Sequence, residues 1–156
     1  MAKRSAGILL YRLSPRGLEL LLVHPGGPFW ARKDLGVWSI PKGEYAPGED
    51  PLAAARRELE EETGMRVEGD FMPLGELVSP GRKIVTAFAL EGDCDPAALR
   101  SNTFELEWPP RSGRRQSFPE VDRAQWFSPE EARQKILAGQ SEFIGRLIAR
   151  LGMGGG

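Results

Sequence analysis

The stretch GEYAPGEDPLAAARRELEEETGM, residues 43–65, decides how the chain is read. Asp50 can cap a helix, Pro51 suits a first helical position whose N–H has no partner to lose, and Gly64 supplies a left-handed stop. The punctuation therefore predicts a helix over 51–63, with Leu52, Ala55 and Leu59 three and four apart as a stripe for burial. On the same helix Glu58, Glu61 and Glu62 stand at i, i+3 and i+4, so their carboxylates share one face. Like charges that close repel one another, and the helix is weakened unless something positive sits among them. A hard divalent cation answers this need: magnesium prefers oxygen ligands, keeps several waters and bridges to substrate phosphates. Arg57 can pair with a carboxylate, with Glu49 of the preceding loop as the candidate, and so fix the start of the helix. Glycine at 43 and 48 allows tight turns that bring loop backbone near the metal. Taken alone, residues 56–62 also suit a solvated, charged helix face.

Working outward, Ala6–Leu13 and Leu18–Val23 read as two strands joined by the turn Ser14-Pro15-Arg16-Gly17. Residues 24–30 hold four of the chain's Gly and Pro punctuators in a row, Pro25 to Pro28, and read as loop, followed by a short strand at Val37–Ile40 that ends at Pro41. Beyond the helix, strands are expected at Leu74–Ser79, Ile84–Leu90 and Ala124–Phe127. Ser101–Pro119 reads as one long loop. Ser128-Pro129-Glu130-Glu131 has the form of a capping box and opens a helix to about Ala138. A last amphipathic helix covers Ser141–Leu151, with Phe143, Ile144, Leu147 and Ile148 on one side. This order predicts a mixed sheet covered by helices in a single α/β domain over 1–151, and a flexible glycine-rich tail at 152–156.

Composition narrows the function. Of 156 residues, 40% are apolar and 28% charged, enough for a core. Twenty-one basic against 22 acidic residues leave a net charge of -1, which argues against a coat for a nucleic-acid polymer or a polybasic membrane binder. The single Cys94 excludes an intrachain disulfide framework and fits a reducing cytosol. The run Ala6–Tyr11 falls short of the roughly 7–15 apolar residues of a secretory core, and Leu20–Val23 is far below the ~20 of a membrane span. A cytoplasmic location is expected.

The wider spacing settles the reading of the helix. Gly43, five residues, Glu49, seven residues, Arg57-Glu58-Leu59, one residue, Glu61-Glu62, one residue and Gly64-Met65 resemble the signature of the Nudix hydrolases at every defined position. The resemblance implies an α/β/α sandwich with a mixed β-sheet. It also implies that Glu58, Glu61 and Glu62 hold Mg2+ (or Mn2+), joined by the carbonyl of Lys42, with Arg57 in the catalytic group and Gly43, Glu49 and Gly64 as structural parts of the motif. The reaction it implies is attack of water on phosphorus within a diphosphate linked to a further group. A glutamate outside the motif often contributes as base and ligand in that family, and Glu120, just before the strand at 124–127, is the candidate here; a plain loop carboxylate is the alternative.

For the substrate, Trp38-Ser39-Ile40-Pro41-Lys42-Gly43 and Pro47-Gly48-Glu49-Asp50 resemble the subfamily that splits diadenosine tetraphosphate into ATP and AMP. That group tends to carry an adenine-stacking tyrosine where this chain has Ala87; Phe88 or a loop aromatic can substitute. Arg114 and Arg115, together with Arg111, can bind further phosphates or simply face solvent, and Lys83 beside Arg82 forms a second basic pair. Arg32 and Lys33, near Trp30, can reach a polyphosphate or stack on a base. Trp38 suits a site wall or the core, Lys42 the substrate, and Trp108 and Trp126 the core. His24 has no partner constellation in the sequence, and Cys94 lies beside acids that disfavour a thiolate. The expected activity is a Mg-dependent nucleotide pyrophosphohydrolase, with a dinucleoside polyphosphate as leading substrate and nucleoside triphosphates, oxidised ones included, as the alternative; nucleotide sugars, ADP-ribose and inositol pyrophosphates stay open. A nucleotide-sensing module without catalysis is the competing class, against which the complete set of three glutamates argues.

Overall fold

The computed structural model describes residues 3–152; most of the expected glycine-rich tail lies outside the described residues. Strands β1 (Arg4–Ser14) and β2 (Gly17–Pro25) form the expected hairpin, with Tyr11 opposite Leu20 and Ser14 opposite Gly17. Strands β4 (Met72–Ser79) and β5 (Lys83–Glu91) form a second hairpin, and β8 (Val121–Phe127) lies antiparallel against β2. The sheet runs β4-β5-β1-β2-β8, and β1 and β5 are parallel. A parallel pair buried on both faces needs apolar side chains on both, which is why β1 reads as an unbroken run rather than an alternation.

The two faces of the sheet carry separate cores. Ala6, Ile8, Leu10 and Leu21 meet Ala54, Ala55 and Leu59 of α1 (Pro51–Thr63) on one side. On the other, Leu9, Leu20, Leu22 and Phe127 meet Ala132 of α2 (Pro129–Lys135) and Phe143, Ile144 and Leu147 of α3 (Glu142–Arg150). This is the α/β/α sandwich with a mixed sheet. Within α1, Ala54 takes a buried place and Leu52 is only half-buried, so the buried stripe sits slightly around the helix from its expected line.

Three expectations need correction. Residues 37–40 form no continuous strand: Ser39 exchanges backbone hydrogen bonds with Val23 at 2.9 and 3.0 Å, while Trp38 pairs with the residues just after α2. The regular strand begins after Pro41, as β3 (Lys42–Glu44), where Gly7 lies opposite Lys42 and Ala6 opposite Gly43. Helix α2 stops at Lys135 instead of about Ala138, because Ile136 turns extended and the Leu137 N–H is taken by the Trp38 carbonyl at 2.8 Å. Residues 101–119 are no single loop. They contain the hairpin β6 (Thr103–Glu107) and β7 (Arg115–Pro119), where Phe104 faces Phe118 across the ladder with ring centroids 6.0 Å apart. The prolines and glycine of its tip hide the short alternation of Phe104 and Leu106. Among the described residues no helix is long and apolar enough to cross a membrane.

Candidate active site

Helix α1 begins and ends as its sequence punctuation demands. The Asp50 side chain accepts from the Ala53 N–H at 3.0 Å, and Gly64, at φ 79°, donates its N–H to the Glu60 carbonyl at 2.7 Å. Fixed in this register, the helix turns Glu58 and Glu62 toward β3. Strand β3 in turn docks on β1 because Gly7 has no side chain: a Cβ there would lie 2.7 Å from the Lys42 Cβ and 2.5 Å from the Pro41 carbonyl oxygen. Gly43 also allows a close approach: a Cβ there would lie 2.1 Å from the Glu58 carboxyl carbon, so the Glu58 carboxyl could not keep its place beside the strand. Its role is thus close approach and not the tight turn expected from composition; Gly48, at φ 88°, does make such a turn.

Electrostatics at this seam are unfavourable for protein alone. Burial, and then the charge of Glu61, push the Glu58 carboxyl up to about 7, with Arg57 opposing. Burial, and then the charge of Glu58, push Glu62 up to about 8, opposed by the Lys42 ammonium and by a hydrogen bond from the Lys42 backbone. The charge of Glu120 raises both. Two enclosed carboxylates that keep their protons toward neutrality lack positive charge, and the fit to a hard divalent cation rests on that donor chemistry. Among the described residues no three His, Cys, Asp or Glu side chains close into a cage. An open arrangement suits magnesium, which takes one or two carboxylates and leaves its other positions to water and substrate phosphate.

Arg57 anchors the loop before the helix. It pairs with the Glu49 carboxylate, as expected, reaches the Glu44 carbonyl at 3.4 Å, and stands 3.6 and 3.8 Å from Glu58 and Glu61. Arg57→Ala is expected to lower stability by only about 0.5–1 kcal/mol, as for an exposed pair. Activity should fall about 10- to 100-fold, the usual effect of losing a group that orients metal-binding carboxylates. Parallel thermal melts and initial rates check this, and unchanged values in both would remove the anchor role.

Beside the carboxylates lies a cleft of about 230 Å³ whose lining includes Lys42, Glu62 and Glu120 as well as Trp30, Val37 and Leu137. Glu120, expected only from its place before a strand, is held there by its backbone: its N–H donates to the Asn102 carbonyl at 2.8 Å and its carbonyl accepts from Gly26 at 2.9 Å. A larger open groove along Tyr11–Pro15 and Glu91–Asp93 contains Arg12, which is taken up by Glu19 at 2.9 Å and Asp93 at 2.7 Å.

The aromatic assignments change. Trp38 is 2% exposed, edge-on to Phe127 and with its Nε1–H on Asp34 at 2.9 Å, so it is core and not a wall of the site. Ala87 is fully buried and offers no face to a base, while Phe88 is half-buried against the α1-side core and does not line the cleft. Trp30 is the aromatic in the cleft, 40% exposed, with the Lys33 ammonium 5.3 Å from its ring. Trp108 leaves the core to meet Phe29 edge-on at 5.2 Å, joining the β6–β7 hairpin to the Trp30 loop. Trp126 is half-buried beneath Arg12, at 4.2 Å. Arg32, Lys83, Arg114 and Arg115 are all exposed and none lines the cleft; Arg115 pairs with Glu105 at 3.4 Å, and Lys83 faces Ser79 in the β4–β5 ladder. Burial, and then Asp93, raise the Cys94 thiol, in keeping with an inert cysteine.

The chain belongs to the Nudix family: the family model of the NUDIX domain matches residues 1–147. Among solved structures it is similar to an Ap4A hydrolase of C. elegans in a binary complex, at 22% identity and a TM-score of 0.67, over 96% of this chain and 98% of that one. It is similar too to the NUDIX domain of Shewanella oneidensis NrtR complexed with ADP ribose, at 17% identity and a TM-score of 0.66, over 97% and 89%. At these identities the likeness is one of fold. Among curated proteins it is 34% identical over 115 residues to an octanoyltransferase of Myxococcus xanthus, covering 73% of this chain and 29% of that protein. It is 53% identical over 36 residues to an RNA pyrophosphohydrolase of Erythrobacter litoralis, 23% of this chain and 22% of that one. The chain spans less than a third of the length of these curated relatives.

Proposed function

We propose that this chain is a divalent-metal-dependent pyrophosphohydrolase acting on nucleotides, with a dinucleoside polyphosphate such as diadenosine tetraphosphate as leading substrate, split to ATP and AMP. The observation that carries the reading is the pair Glu58 and Glu62, enclosed and short of positive charge, at a cleft that also holds Lys42, Glu120 and an exposed indole. Glu58 and Glu62 are the residues that would hold Mg2+, with Glu61 beside them on the helix to reach it through water; the ion when bound would neutralise developing charge on phosphate oxygens and acidify water. The remaining steps belong to the chain. The Lys42 ammonium attracts the phosphates and Glu120 takes a proton from the attacking water. The oxygen of that water forms a new bond to phosphorus as the bridging oxygen leaves with its electron pair. Trp30 supplies a face on which a base stacks.

The polyphosphate assignment draws on the resemblance of residues 38–43 and 47–50 to the subfamily that splits diadenosine tetraphosphate; the fold shared with the C. elegans Ap4A hydrolase is compatible with it. The similarities to RNA pyrophosphohydrolases extend over only 30–36 residues and speak for the motif rather than for an RNA substrate. A lone cysteine suits a reducing cytosol as the place of action. A nucleotide panel with Mg2+, read by product identity, tests the proposal. ATP plus AMP from diadenosine tetraphosphate supports it, monophosphate plus pyrophosphate from a triphosphate supports the alternative, and no cleavage of either overturns both. In that panel Trp30→Ala should raise KM about tenfold with kcat little changed, the loss of one base-stacking contact, while Trp30→Phe stays close to wild type.

A further inference from the structure

His24, at the end of β2, is fully buried and has no part in the chemistry proposed above. Each of its ring nitrogens nevertheless meets an oxygen. Nδ1 lies 2.8 Å from the Asp122 carboxylate, and Nε2 lies 2.6 Å from the backbone carbonyl of Lys33. Asp122 is the second residue of β8 and follows Glu120 by two positions, with the Arg123 guanidinium 4.0 Å from its carboxylate. Lys33 belongs to the connector that carries Trp30, and its N–H donates to the Trp30 carbonyl at 2.9 Å while its ammonium turns to the Trp30 ring. One enclosed imidazole therefore bridges the two sides of the cleft, the aromatic wall and the strand that follows Glu120. Both partners are oxygen acceptors for a ring N–H.

The rest of the connector is tied independently. Asp34 accepts from the Trp38 indole at 2.9 Å and pairs with Lys135, and the Gly36 N–H reaches the Gln134 carbonyl at 3.1 Å. At the other end Gly26 is bound to the Glu120 carbonyl. Between these anchors, among the described residues, the hydrogen-bonded link from the connector to β8 runs through His24. We infer that His24 is a positioning residue: it clamps the Trp30 loop to β8 and so sets the cleft's fit to the nucleotide, leaving the chemical step to the carboxylates. The kinetic part of this inference rests on the nucleotide reading, whereas the clamp itself does not.

The test compares His24→Leu, which keeps apolar volume but donates nothing, with His24→Gln, whose longer amide can still donate to the Lys33 carbonyl. For His24→Leu, KM for the cleaved nucleotide should rise about fivefold or more with kcat within about twofold, and His24→Gln should recover most of that loss. Hydrogen exchange should quicken at residues 28–34 in His24→Leu and stay unchanged in α1. An unchanged KM, or a loss confined to kcat, overturns the positioning role; unchanged exchange at 28–34 overturns the clamp. Should His24→Leu fail to fold, Asp122→Ala at the more exposed partner must show the same split between KM and kcat. A wild-type protein that cleaves no nucleotide defeats the functional reading alone, because the exchange comparison still decides whether the clamp exists.

Discussion

Glu62→Gln is expected to keep the fold, to stabilise the metal-free protein at alkaline pH, and to lower turnover about a hundred- to a thousandfold. The stability gain follows from the direction of the shift. Burial raises the folded-state Glu62 carboxyl to about 8, above its ordinary value of 4.5. The folded protein then holds a proton that the unfolded chain releases. That contribution is complete below about 4.5 and is lost as pH rises through about 8, so metal-free wild type should weaken across this window. Glu58, raised to about 7, acts with the same sign over a narrower range. Glutamine carries no charge to enclose, so the melting temperature of Glu62→Gln should fall less between pH 5 and 8.5 than that of wild type. Turnover moves the other way, because the same carboxylate is a metal ligand in this account. Unchanged turnover at saturating magnesium would remove Glu62 from that role.

Gly43→Ala is expected to damage both stability and activity, although it adds a single methyl group. The new Cβ would lie 2.1 Å from the carboxyl carbon and 2.2 and 2.4 Å from the oxygens of Glu58, so the end of that side chain, 13% exposed, has to leave its place unless β3 shifts. Either Glu58 is driven out of its place or β3 moves away from α1. Such overpacking costs about 1–3 kcal/mol, and displacing a carboxylate proposed to hold the metal should reduce kcat/KM about a hundredfold or more. Gly48→Ala is the control, because no atom lies within 4 Å of a Cβ there; its left-handed φ of 88° predicts a modest loss of stability with the carboxylates undisturbed. Equal activity of the two variants would show that the contact between Gly43 and Glu58 does not position the site.

Helix α1 was legible from Asp50 to Gly64 because caps, stripe and carboxylate spacing are all local. The Arg57–Glu49 pair was legible for the same reason. What escaped were features joined only through the fold. Gly7 and Gly43 matter because two strands and a helix meet there, and no turn pattern in the sequence reports that meeting. Trp38 and Trp30 look alike on paper, but the bridges on either side of residue 38 turn its indole inward, while Trp30 sits in a connector beside the cleft. The histidine partner Asp122 lies 98 residues away from His24. The hairpin over 103–119 was hidden by its Trp108-Pro109-Pro110 tip, although Phe104 and Phe118 mark the face on which it closes.

The most direct measurement is the melting temperature of untagged protein against magnesium concentration at pH 8, for wild type and Glu58→Gln side by side. A ligand that binds only the folded state stabilises by RT ln(1 + [L]/Kd), so at about 100 times Kd wild type should gain about 2.7 kcal/mol. Glu58→Gln should gain markedly less at the same concentrations. Curves that rise together, or a wild-type curve that stays flat, would contradict a divalent ion held by the carboxylates of α1.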